Sequence, residues 1–136
     1  MGNTRFATAI HILTILALTP EKWLSSEWIA GSINTNPVIV RRELAGLQKK
    51  GYVVTSKGKD GGSKLAVPCG AVSLADIYLL VKNSDILGKK NLNPNPKCPV
   101  GKNINSKLNG LISETDNIIV EYLSRKTLED FVNQFH

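Results

Sequence analysis

The stretch from Asn36 to Val67, NPVIVRRELAGLQKKGYVVTSKGKDGGSKLAV, constrains the fold more than any other part of the chain. Its first half has the signals of a helix closed at both ends. Asn36 is a good N-cap, and Pro37 suits the first helical position, where no amide donor is needed. Gly51 follows Lys49 and Lys50 as a stop. Val40, Leu44 and Leu47 recur at i, i+4 and i+7 and face a core, which turns Val38, Arg41, Arg42, Ala45 and Gln48 outward. The second half reads as two β-runs, 52–56 and 64–67, joined by a tip. Three lysines and three glycines stand within the eight positions from Lys57 to Lys64. The glycines permit the positive φ angles of a long hairpin tip and a close approach of the backbone to another surface.

Upstream, a first helix is expected from about Asn3 to Leu18, ending before Pro20. Phe6, Ile10, Leu13 and Ala17 mark its stripe, with Ala9, Ile12 and Leu16 beside it. A short second helix begins at Ser25 or Ser26 and carries Trp28, Ile29 and Ile33 inward, and the NTNP sequence breaks it from the third. Two short helices, a tight turn and an outward basic face give a helix-turn-helix. Followed by a basic hairpin, they give a winged helix, and that combination is far more specific than either part.

Downstream, Pro68 ends the wing, and Ser73 with Asp76 forms a capping box for a helix over 73–81. The polar run NSDILGKKNLNPNPKCPVGKN, residues 83–103, is a connector. A long helix from about Ile104 to Ser124 follows. Ile104, Leu108, Leu111, Thr115, Ile118 and Tyr122 step by four and three, a seam able to pack on a partner helix; Ile112, Ile119 and Leu123 widen it. Thr127 and Asp130 cap a last short helix. The expected fold is mainly α with a small β-hairpin. It divides into a winged helix-turn-helix over 1–82 (wing about 52–67), a connector over 83–103, and a dimerisation helix with a short terminal helix over 104–136.

At 136 residues this is one domain by size. The net charge of +6 is concentrated. Arg5 and Lys22 balance Glu21 and Glu27 in residues 1–35. Residues 36–64 hold seven basic side chains against Glu43 and Asp60, 7 − 2 = +5. Such focused charge belongs to a surface that meets polyphosphate, or to an ordinary solvated face. The apolar run from Phe6 to Leu18 is too short and too interrupted to span a bilayer, and no small-x-small cleavage site follows it. It is expected to be a buried helix, not an export signal. Cys69 and Cys98 fit no paired metal-ligand spacing and suit a reducing cytosol, so neither metal nor cofactor is expected. No nucleophile–base pair, glycine-rich phosphate loop or carboxylate dyad is present, which argues against an enzyme. His11 is expected to be a hydrogen-bonded core or interface residue, Trp23 and Trp28 packing residues, and Cys69 structural.

Lysine and arginine gain affinity for a duplex by releasing condensed counterions, a helix fits the major groove, and a thin basic hairpin fits the minor groove or follows its phosphates. Lys57, Lys59 and Lys64 on the hairpin, placed after Arg41 and Arg42 on the helix, match this division of labour.

The segment WIAGSINTNPVIVRRELAGLQKKGYVVTSKGKDGGSKLAVP resembles the DNA-binding half of the BadM/Rrf-two family of bacterial winged helix-turn-helix transcription regulators. That family includes an iron–sulfur regulator, a nitric-oxide sensor and a cysteine-metabolism repressor. The features that carry the likeness are IA in the second helix, the L-x-K-x-G-x-V entry to the wing, and G-x-x-GG followed by L on the returning strand. VSLADIYLLV and the long helix resemble the family's next helix and its dimerisation helix. Two departures stand out. Ser63 follows the double glycine where the family usually has an aromatic residue, and the connector carries only Cys98 where iron–sulfur members carry three cysteines. A cluster needs several thiolate or comparable ligands, so none is expected.

The resemblance implies DNA contacts by Asn36, Val38, Arg41 and Arg42 and by Lys57, Gly58, Lys59, Gly61 and Gly62 of the wing. It implies a homodimer on a pseudo-palindromic operator in double-stranded DNA, acting in the cytoplasm as a repressor. Cys98 lies between Lys97 and Lys102 ahead of a helix start, where cations and a helix N-terminus stabilise a thiolate. It is a candidate redox or electrophile sensor, or else a buried small hydrophobe. Two other functions remain open at this point: a winged-helix module gripping an acidic protein partner, and a small-molecule-responsive regulator without thiol sensing.

Overall fold

The computed structural model describes residues 4–82 and 87–135. The chain runs through α1 (Arg5–Leu18), α2 (Ser26–Ile33), α3 (Pro37–Lys49), the strands β1 (Val53–Ser56) and β2 (Gly62–Leu65), α4 (Leu74–Val81), α5 (Pro99–Ser124) and α6 (Leu128–Val132). Single 3-10 turns cover Cys69–Ala71 and Asn133–Phe135. Among the described residues, no helix is long and apolar enough to cross a membrane.

The core gathers around α1, whose Ala9, Ile12, Leu13 and Leu16 are fully buried. Phe6 and Ala17, at the ends of the expected stripe, are only half-buried. Asn3, where the sequence starts this helix, lies outside the described residues. Ser25 caps α2 by accepting a hydrogen bond from the Trp28 N–H at 3.1 Å. Ile29 is buried as expected, but Trp28 is not: it is 54% exposed. Ile29 and Ala30 are the buried residues of α2, with Ile33 half-buried, and Trp28 sits about 100° around the helix from Ile29 on the side away from Ala30. Asn34 takes a left-handed conformation (φ 64°) that asparagine tolerates, which turns the chain sharply into α3. Asn36 caps α3 through its side-chain oxygen, accepting from the Val38 N–H at 2.8 Å. Val40, Leu44 and Leu47 are buried as the spacing requires.

The hairpin pairs Val53 with Leu65 and Ser56 with Gly62. Its return strand thus starts at Gly62, two residues earlier than the sequence suggests. Leu24, in the loop before α2, adds a third rung: its N–H donates to the Ser63 carbonyl at 3.1 Å and its carbonyl accepts from Ser63 at 2.8 Å. The double glycine makes this possible. A Cβ at Gly62 would lie 2.4 Å from the Leu24 carbonyl oxygen, and one at Gly61 2.1 Å from that of Ser56.

Two capping expectations separate here. Ser73 caps α4 through the Ala75 N–H at 3.2 Å, but Asp76 does not complete a box; its carboxylate accepts from the Tyr52 hydroxyl at 3.0 Å. The box of Thr127 and Asp130 on α6 is complete, at 2.9 and 3.2 Å. The long helix also starts earlier than Ile104. It begins at Pro99, with Cys98 as N-cap, because proline at the first position needs no amide donor. Residues 99–103 are therefore helical, and residues 83–86 of the expected connector lie outside the described residues.

α5 lies against α4, yet none of its residues is fully buried. Asp116 latches the two helices, accepting from the Tyr78 hydroxyl at 2.5 Å and from the Lys82 ammonium at 2.7 Å. Those two donors hold the Asp116 carboxyl below its ordinary range. Burial, and then Asp116 itself, push the Tyr78 hydroxyl up to about 12. α6 returns the chain to the domain through hydrogen bonds between Leu74 and Lys126 and between Leu128 and Val72, and buries Leu128 in the core.

Candidate nucleic-acid interface

The surface formed by α3 and the hairpin is built from the core outward. With Val40, Leu44 and Leu47 buried, α3 can rotate no further, and Val38, Arg41, Arg42, Ala45 and Gln48 are left exposed. β1 leaves α3 after the left-handed Gly51 (φ 84°) and runs back beside it. The two elements share a cleft of about 250 Å³ whose walls include Ser26, Arg41 and Gln48 on one side and Ser56 and Gly62 on the other. Gln48 accepts a hydrogen bond from the Thr55 hydroxyl at 3.4 Å across it. Arg41 and the base of the wing therefore stand on the same side of the domain, with Lys57, Gly58 and Lys59 exposed beyond them at the tip.

Several expected contact residues have internal partners as well. The Arg41 guanidinium donates to Glu27 of α2 at 2.5 Å, and both side chains are more than half exposed. The backbone N–H at Glu27 and then the Arg41 guanidinium hold the Glu27 carboxyl below its ordinary value. Arg42 lies 3.8 Å from Glu43, a carboxylate only 3% exposed that also accepts from Arg5 of α1 at 2.9 Å. Asn36 uses its side-chain oxygen to cap α3. Lys64 stands 4.8 Å over the ring of Trp23, a cation–π contact that draws it toward the body of the domain. Trp23, like Trp28, remains well exposed, against the expectation that both are packing residues. Gly61 and Gly62 serve the close approach within the hairpin and to Leu24 described above.

The sequence marks Glu27 only as a charge and Ser26 only as a possible helix start, neither as part of this surface. They belong to a different helix from Arg41, fourteen positions away for Glu27, and no local spacing signals that pair. His11 is half-buried and shares a 2.9 Å hydrogen bond with Ser32. Cys69 is half-buried against the core. Cys98 is exposed, not buried, at the N-cap of α5, between the exposed Lys97 and Lys102. The backbone N–H groups of Gly101 and Val100 in the first turn of α5 hold its thiol below the ordinary value. In the seam of α5, Leu111, Ile118 and Tyr122 are more than half exposed, while Ile104, Leu108 and Thr115 are half-buried.

The family model of the Rrf2 regulators, described as iron-dependent transcriptional regulators, matches residues 2–134. The chain belongs to the Rrf2 family. Among relatives, it is 39% identical over 133 residues to YwnA of Bacillus subtilis (strain 168), provisionally named an HTH-type transcriptional regulator, with 98% of each chain covered. A crystal structure of a provisionally assigned transcriptional regulator from Lactobacillus plantarum superposes with a TM-score of 0.81 at 25% identity, over 97% of this chain and 89% of that one. CymR of B. subtilis, titled a global cysteine regulator, superposes at 0.69 with 20% identity over 98% and 97% of the two chains, a likeness of fold. The protein is thus a winged-helix transcriptional regulator of the Rrf2 family and not an enzyme. The family's description names iron. Among the described residues, no group of three or more His, Cys, Asp or Glu side chains is placed to hold a metal, and the two cysteines lie in separate elements. The residues present do not fit a cluster of the three-cysteine kind.

Proposed function

We propose that this Rrf2 regulator is a homodimeric, sequence-specific repressor that binds a roughly two-fold-symmetric site in double-stranded DNA. Asn36, Val38, Arg41 and Arg42 present α3 to the major groove, while Lys57 and Lys59 of the wing follow the adjacent backbone. Bound across a promoter, such a dimer blocks access to it. The observation that carries this function is the shared cleft of α3 and the hairpin, which puts Arg41 and the wing base on one side of the domain. Lys64, held over Trp23, braces the wing more than it reaches outward. The partner helix packs on Leu111, Ile118 and Tyr122, which a single chain leaves uncovered. Cys98 is in this reading the site through which oxidants or electrophiles release DNA, and its exposure at the head of that same helix, where the first-turn amides favour the thiolate, supports it.

Titration of duplex DNA at two salt concentrations tests this function. Affinity is expected to fall steeply with salt, and Arg41→Ala with Lys59→Ala to lose at least tenfold with a shallower slope. Binding that ignores both salt and the substitutions sinks it. In the same assay a mild oxidant should release DNA from the wild-type protein and not from Cys98→Ser. Release from both would leave DNA binding intact but replace thiol sensing with response to a bound small molecule. An apolar cleft of about 480 Å³ between α1 and α6, walled by Phe6, Ile10, His11, Ile15, Phe131 and Phe135, is where such a molecule would fit.

A further inference from the structure

The charge on the proposed DNA face is not uniformly positive. Three acidic side chains lie between Ser25 and Val67: Glu43 is buried, Asp60 stands at the wing tip, and Glu27 projects from the first turn of α2 directly onto Arg41. One Nη2 hydrogen of Arg41 is committed to Glu27. A guanidinium has five donors in a fixed fork, so the rest of the fork remains available to a second acceptor. We propose that Glu27 is a specificity-determining residue, which holds Arg41 so that it engages a bidentate base edge in preference to an isolated phosphate.

Two physical effects combine. The pair has no net charge, so a phosphate that approaches Arg41 gains little from counterion release and meets a carboxylate beside its target. A guanine edge, with its O6 and N7 acceptors, gains from geometry that the tethered fork already has. An exposed ion pair is weak on its own, so Glu27 restrains Arg41 without locking it away. The position of Ser26, in the wall of the same cleft as Arg41, puts this turn of α2 at the edge of the proposed contact surface.

This inference rests on the DNA-binding function proposed above, and the test separates the two. Wild type, Glu27→Gln, Arg41→Ala and the double variant are titrated with an unselected duplex at several salt concentrations. Each is also used to select from a random-sequence duplex pool, with circular dichroism to verify folding. Glu27→Gln keeps an acceptor for Arg41 but frees its charge. It should bind the unselected duplex several-fold more tightly at low salt, with a log–log salt slope steeper by about one. Its selected pool should lose, by about tenfold, the preference at one base pair per half-site. In the Arg41→Ala background these changes should largely vanish. An unchanged slope and pool for Glu27→Gln overturns the inference, as does an equal gain in both backgrounds, which would reduce Glu27 to a source of general repulsion. Salt-insensitive binding, or none, by every protein would instead remove the DNA-binding function beneath it.

Discussion

Glu43 sits between Arg42, which is exposed, and Leu44, which is buried, and its carboxylate follows the leucine inward. A buried carboxylate is tolerable only with partners, and it has them: Arg5 of α1 at 2.9 Å and, more loosely, Arg42 at 3.8 Å. Arg5 also donates to the Val81 carbonyl at the end of α4, at 3.5 Å. One ion pair therefore ties the helix carrying Arg41 and Arg42 to two helices behind it. Removing Glu43 leaves the half-exposed Arg5 able to regain water, so the loss should stay below that of a fully buried pair. Glu43→Ala is expected to lower stability by about 2 kcal/mol, read as a lower urea midpoint at unchanged m-value. No change in midpoint would mean that α3 is held by its apolar face alone. None of this is legible in the sequence, where Glu43 reads as one more surface charge on a basic helix.

The elements themselves were largely legible, because their signals are local. Ser25, Asn36 and Thr127 are caps, Pro37 and Gly51 bracket α3, and Val40, Leu44 and Leu47 set its face; each acts within a turn or two of its own backbone. What the sequence missed depends on distant partners. Trp28 looks apolar and inward until the narrow contact of α2 leaves it outside, and Asp76 looks like half of a capping box until Tyr52 claims it. Pro99 is the exception: a local signal for a helix start that was hidden inside a run of asparagine, proline and lysine. The double glycine is the most instructive case. It suggests a tip thinned for a groove, and in the fold it also makes a close approach that is internal, to Ser56 and to the Leu24 rung. Gly62→Ala should therefore detach the wing from the loop before α2 while leaving the helices intact. Helical circular dichroism is expected to be nearly unchanged, the amides of Leu24 and Ser63 to lose protection from hydrogen exchange, and DNA affinity to fall by about tenfold. Protection retained at both amides would show that the strand can shift to accommodate the methyl group.

At the scale of the whole molecule, one domain offers one α3 and one wing, enough to read a single half-site. Two domains joined rigidly convert the second half-site into an intramolecular event, which can raise affinity by about a hundredfold or more. α5 is suited to join them. It is 26 residues long, buries none of them fully, and keeps Ile118 68% exposed beside Leu111 and Tyr122. Its inner side is committed to α4 through Asp116, and its uncovered apolar residues are the surface on which the proposed dimer would close. Ile118→Glu puts a charge in the middle of that seam without touching α3, the wing or the core. The variant should sediment as a monomer at micromolar concentration, keep its helical signal, and bind a full operator about as weakly as a half-site. A variant that stays dimeric would place the interface elsewhere, with the exposed apolar cleft between α1 and α6 the next surface to interrupt. A monomeric variant that still binds the full operator tightly would mean instead that each winged domain acts alone, and that the length of α5 serves some purpose other than spacing two recognition helices.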